Sequence, residues 1–334
     1  QITDVRVAVG VGSESQATDG IVRARLDQNT RLFAVVRGRY RGRAITITEA
    51  SALRLGGKHI PKSKLRKPDS LPGLELQLRW TKLQPVGESY NNTRGGFHWD
   101  EIQYTQKALG DWGQKWSRPA DAHPIPSPGY ADVNGGAGTM AFVLHVKQGQ
   151  RIFKSPGAQE RFRGGLADSV TRVAFRPSAD FLGYLARLFN TPYIWGSAGV
   201  PPPKHQAERL IGSDCADFIV YGARRAGKKI PYKASYHIPE QARSIARAEG
   251  VDKQGRFVDA AKQPIVIGPR AVQVGDVLLF PGHVAALVED LPPTGILDVH
   301  DRMIHTYWAP PCVQPIEDSA YSQSKVQVLR YSFD

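Results

Sequence analysis

The chain has 334 residues, 41% of them apolar, and 44 Lys and Arg against 31 Asp and Glu give a formal net charge of +13. The length points to two domains and the apolar share supplies ordinary cores, while no apolar run approaches the roughly 18 to 20 residues of a membrane span, so a soluble protein without a transmembrane segment is expected. Two cysteines are sparse usage, and no His and Cys cluster has zinc-ligand spacing, so neither a metal nor an organic cofactor is expected. The first residue is Gln1 rather than methionine, which predicts that an export signal or part of the natural chain once preceded it.

Near the N-terminus, Val9-Gly10-Val11-Gly12-Ser13 lacks the third glycine and following helix of a dinucleotide site. Residues 31 to 67 carry eleven Lys and Arg against one acid, Glu49, a local charge of +10 (11 − 1). Within them Arg37, Arg39, Arg41 and Arg43 alternate with Gly38, Tyr40 and Gly42, so one continuous strand would put four guanidinium groups on a single face. That face fits a solvated, charge-guarded sheet edge or an anionic polymer such as a surface polysaccharide; no motif supports nucleic acid. Residues 74–80, 142–146 and 170–175 alternate as strands do, with Gly- and Pro-rich turns between them. One or two small all-β domains, sandwich or barrel, are therefore expected over 1–68 and 69–177, ahead of a further domain at 178–334.

In that last domain Ser178-Ala179-Asp180 opens a helix whose Phe181, Leu182, Leu185, Leu188 and Phe189 share a face, and Thr191-Pro192 stops it. Pro201-Pro202-Pro203-Lys204-His205 reads as a stiff cleft wall. A second helix starts at Ser213 or Asp214 as N-cap, buries Phe218, Ile219 and Ala223, and closes at Gly227. Cys215 falls in its first turn, where the free N–H groups and positive dipole end favour a thiolate. Residues 239–250 read as another helix, proline near its start and glycine at its end.

Gly275-Asp276 then leads into a buried strand, Val277-Leu278-Leu279-Phe280, and after a turn at Pro281-Gly282 His283 opens a second one. Histidine moves protons near neutral pH, so His283 is the expected base for Cys215. A third group must orient it. His305, in the strand-like Arg302-Met303-Ile304-His305-Thr306, is preferred over His300 and Asp298, because an apolar-flanked strand position fixes a ring better than the charged stretch 298–302. Cys312 lies 97 positions after Cys215 (312 − 215); a disulfide between them would disable the nucleophile, so it is read as buried or incidental.

Taken in order, Thr191-Pro192-Tyr193-Ile194-Trp195-Gly196, Gly212-Ser213-Asp214-Cys215, Gly275-Asp276-Val277-Leu278-Leu279-Phe280 and Gly282-His283-Val284 resemble the NlpC/P60 family of papain-like cysteine peptidases. The resemblance covers roughly residues 180 to 334. It implies an α+β class with a papain-like catalytic domain at 178–334, and an exported bacterial cell-wall hydrolase. It further implies Cys215 as nucleophile, His283 as general base, His305 as its orienter, and Tyr193 with the backbone N–H of Cys215 as oxyanion donors. The substrate it implies is an amide of peptidoglycan stem peptides, next to D-glutamate, cut through a thioester. Asp214, Trp195 and Ala216 are the expected substrate-binding positions. The family pattern has Ser-Gly after the cysteine where this chain has Ala216-Asp217. An amidase or acyl-transfer enzyme on another amide, and a silent wall-binding protein, remain alternatives.

Overall fold

The computed structural model describes residues 1–12, 16–132 and 134–333; Ser13 of the glycine-rich segment, Val133 and Asp334 lie outside the described residues. The chain is β-rich, 41% strand against 11% helix. This corrects the expected α+β class: there is no clear papain-like α+β core, and the α-helices among the described residues are α1, Phe181–Ala186, and α2, Cys215–Arg225. The physical reason is strand pairing. Residues 239–250, expected as a helix, instead leave a 3-10 turn at Ser235–Glu240 for the strand Arg243–Ala248, whose backbone pairs with Val326–Arg330. No helix among the described residues is long and apolar enough to cross a membrane.

Two compact units divide the chain: Gln1–Glu88 with His98–Pro177, and Ser89–Phe97 with Ser178–Asp334. In the first, an eight-stranded sheet built on Ile2–Val11 and Thr30–Tyr40 faces a six-stranded sheet built on Gln77–Pro85 and Gly138–Gln148. Alternation explains the shared core: Val5, Val7 and Val9 of one sheet and Leu32, Ala34 and Val36 beside them pack with Leu78, Trp80, Phe142 and Leu144 of the other. Strands from both sides of Pro68 thus bury one core, so the expected boundary near that residue does not divide the unit.

The four arginines do not form one stripe. Thr30–Tyr40 ends just before Arg41 and Gly42, both at positive φ (48° and 78°), and they make the two-residue turn into Arg43–Ile47. Arg43 stands opposite Tyr40 and shares its face, while Arg37 and Arg39 occupy the other. All four are exposed, and Arg37 pairs with Asp4 at 3.5 Å.

The second unit is built on a six-stranded antiparallel sheet in the order Arg243–Ala248, Val326–Arg330, Val277–Phe280, His283–Glu289, Arg302–His305, Cys312–Pro315. Asp276, buried just before its third strand, holds Arg330 through two oxygens at 2.6 and 2.7 Å. Helix α2 packs on His283–Glu289, and α1 packs on α2. Asp214 caps α2 by accepting from Asp217 N at 2.9 Å. Its far end closes at Gly227 (φ 111°), with Gly227 N bonded to Arg224 O and Lys228 N to Ala223 O. Between the helices, a Cβ on Gly222 would lie 2.9 Å from Phe181 Cε2 and closer still to Leu185, so the contact admits only glycine without movement. Gly222→Ala is expected to lower the unfolding free energy by about 1–3 kcal/mol. Urea titration reads it, and an unchanged midpoint would mean that the helices separate freely.

Candidate active site

Three backbone arrangements bring distant residues together. Gly212 is the first: a Cβ there would stand 2.5 Å from Pro192 O and 2.7 Å from Ile194 Cδ1, and its absence lets the strand Tyr193–Trp195 lie against Ser213, with Ile194 N bonded to Ser213 O at 2.9 Å. Tyr193 is thereby delivered beside the start of α2. The other edge of this short strand is taken by Ser89–Asn91, paired in parallel, a segment the sequence had placed with the preceding β region.

Sheet register is the second. Ala286 pairs with Ile304 and Leu287 with Met303. Continued by one residue, this sets Ala285 opposite His305, with His283 two positions along on the same face. His283 Nε2 lies 2.9 Å from His305 Nδ1. His300 takes no part: its ring faces Glu317 at 3.1 Å, and Asp298 Oδ1 accepts from His300 N.

The third is the seat of α2 on the histidine strand. The backbone N–H groups of Ala216 and of Val284, the residue after His283, are hydrogen-bonding neighbours of the Cys215 sulfur. These donors favour the anion. Burial outweighs them: Cys215 is 5% exposed, and desolvation, then the Asp214 carboxyl, push its thiol up to about 12. The expectation of a thiolate prepared by the helix end is corrected accordingly. Both imidazoles are neutral as well. Burial, then His305, pulls His283 down to about 3, and burial pulls His305 down to about 4 against a smaller opposing pull from Gln314.

Among the described residues, His283 Nδ1 and the Tyr193 hydroxyl are buried without a hydrogen-bond partner. With His283 Nδ1 free to accept a proton, Nε2 carries the ring hydrogen and donates to His305 Nδ1. Burial, then the nearby Cys215, raises the Tyr193 phenol. Rings clamp the base: His283 stacks on Tyr321 (4.7 Å between centroids, 14°) and meets the edge of Tyr307 at 5.1 Å. Trp195, half exposed, stacks on Trp308 at 5.7 Å, and Trp308 also contacts Tyr193 at 5.1 Å. Tyr307, Trp308 and Tyr321 were missed from the sequence, where an aromatic in a loop carries no pattern.

The expected substrate contacts separate. Trp195 is at the surface, but the Ala216 methyl is buried and the Asp214 carboxylate is engaged by backbone N–H groups of Asp217, Ala216 and Gly196. Cys312 is a free thiol opposite His305 in the sheet, its Sγ 3.5 Å from Gln314 Oε1. Among the described residues no group of three or more His, Cys, Asp or Glu is placed to hold a metal ion. No protein-family model, no curated protein and no solved structure matches the chain.

Two buried neutral imidazoles carry a linkage. Their folded values lie below the unfolded 6.5, so between about pH 6.5 and 4 the unfolded chain binds more protons and stability falls as pH falls. Asp301, pushed up to about 7 by burial, works in the opposite sense throughout that window. Comparison with a His283→Gln/His305→Gln variant isolates the rings: the loss of urea stability from about pH 7 to about pH 5 should be smaller in the variant than in the wild type. Equal losses would show the rings to be accessible to protons in the folded state.

Proposed function

We propose that the second unit is an NlpC/P60-type cysteine hydrolase that cleaves an amide of peptidoglycan stem peptides, next to D-glutamate. The observation that carries this reading is the meeting of Cys215 with the strand of a hydrogen-bonded His283–His305 pair, the second ring 2.9 Å behind the first. In this scheme the thiol is protonated at rest, so its proton passes to His283 Nδ1 as sulfur attacks the carbonyl carbon. His305 Nδ1 accepts from His283 Nε2 and spreads the new positive charge. The unpartnered Tyr193 hydroxyl and the Cys215 N–H serve the developing oxyanion. His283 then protonates the leaving amine, and water attacking the thioester releases the acid and restores the thiol.

Export from a bacterial cell belongs to the same proposal, as does an anionic wall polymer at Arg37, Arg39, Arg41 and Arg43. Since the Asp214 carboxylate caps α2, the proposed grip on a free amino end rests less on it than on groups at the surface such as Trp195. Digestion of purified peptidoglycan followed by mass analysis tests the reading. Wild-type protein should release stem-peptide fragments, Cys215→Ala none, and His305→Ala should lower kcat by about 10²–10⁴-fold. A Cys215→Ala digest identical to the wild type would remove the proposal. Fragments cut at the lactyl amide, not within the peptide, would make the enzyme an amidase.

A further inference from the structure

Helix α2 is braced by a buried polar network that the scheme above leaves unused. Asp217, third residue of the helix, is buried, and its Oδ2 takes the Ser197 hydroxyl at 2.5 Å and His205 Nε2 at 3.3 Å. His205 Nδ1 accepts from Ala207 N at 3.2 Å, which leaves the proton of this ring on Nε2, close to the Asp217 carboxylate. Ser197 Oγ also accepts from the backbone N–H of Asp214 at 3.1 Å, one residue before the nucleophile. The flat of His205 stacks on Tyr232 (3.8 Å, 9°), whose hydroxyl donates to Glu208 at 3.0 Å. Glu208 in turn holds Arg224 and Arg225 at the far end of α2. Both ends of the nucleophile helix are thus tied to one chain of polar and ring contacts, in which the His205–Tyr232 stack joins the Asp217 end to the Glu208 end.

We propose that Asp217, fixed by Ser197 and His205, is a positioning residue for Cys215, setting where α2 begins and placing a second carboxylate beside Asp214 in its first turn. Its functional meaning rests on the hydrolase reading. Geometrically, Asp217 holds Ser197, Ser197 holds the Asp214 N–H, and Asp214 is the residue on which the helix starts. Electrostatically, burial first, then Asp214 and more weakly Asp217, outweigh the N–H groups that favour a sulfur anion, so the thiol keeps its proton until His283 takes it. The other titratable groups that interact with the sulfur are Tyr193 from its short strand and Tyr321, while the strand of His283 reaches it through the Val284 N–H. The family pattern has no acid at the position of Asp217, so this control belongs to this chain.

The test reads the thiol itself. In a full-length Cys312→Ser background, alkylation of Cys215 by iodoacetamide at about pH 8.5 should run at least about two- to threefold faster in Asp217→Asn, since removing a carboxylate that raises the thiol brings it down. Asp217→Ser, a second neutral substitution tolerated in a first helical turn, should behave alike, and His205→Gln, which keeps the carboxylate and a donor to it, should stay within about twofold of the parent. Thermal melting accompanies each variant. Wild-type alkylation rates in both Asp217 variants would overturn the proposal, as would acceleration seen only with a collapse in melting temperature. Peptidoglycan digestion is scored separately: a wild type that fails to digest it defeats the hydrolase reading and leaves the alkylation result to stand for the helix alone.

Discussion

One hydrogen bond across two neighbouring strands organises the second unit. His283 and His305 meet because an antiparallel register holds them diagonal to each other on the same face. A slip of one residue would turn His305 to the opposite side of the sheet. The register is held by what surrounds it: Leu278, Ala285, Leu287 and Met303 fill one core cluster, and Asp276 clamps Arg330 across the same sheet. Polar geometry at the site is therefore bought with apolar packing elsewhere.

The same packing that fixes the rings dries them. A helix start is an anion-favouring place, yet Cys215 lies so far from water that desolvation governs its ionisation, as it does for both imidazoles. The three groups form a neutral set. This differs from a preformed thiolate and imidazolium, and burial is its largest cause.

Much of the site was legible because its signals are local. An N-cap, a glycine closing a helix and a histidine at a hairpin turn each announce themselves within a few residues, and Asp214, Gly227 and His283 stand where those rules put them. Pairing partners carry no such signal. Ser89–Asn91 joins the second unit by lining up with Tyr193–Trp195, about a hundred residues away. Arg243–Ala248 has the punctuation of a helix and becomes a strand, because Val326–Arg330 offers it a ladder. Spacing alone predicted four arginines on one face; two residues at positive φ turned the strand back before the fourth. Asp217 and His205 were visible as a departure from a motif and as the end of a proline run, but their meeting depends on a fold that brings a loop over a helix.

Cover over the sulfur also bears on how long the protein lasts. Oxidants attack cysteine through its thiolate and from solvent, and Cys215 offers little of either. Cys312, partly open to water on the neighbouring strand, is the more accessible of the two sulfurs. In peroxide-rich surroundings the damage would fall first on Cys312, and the shelter over Cys215 would keep that sulfur intact.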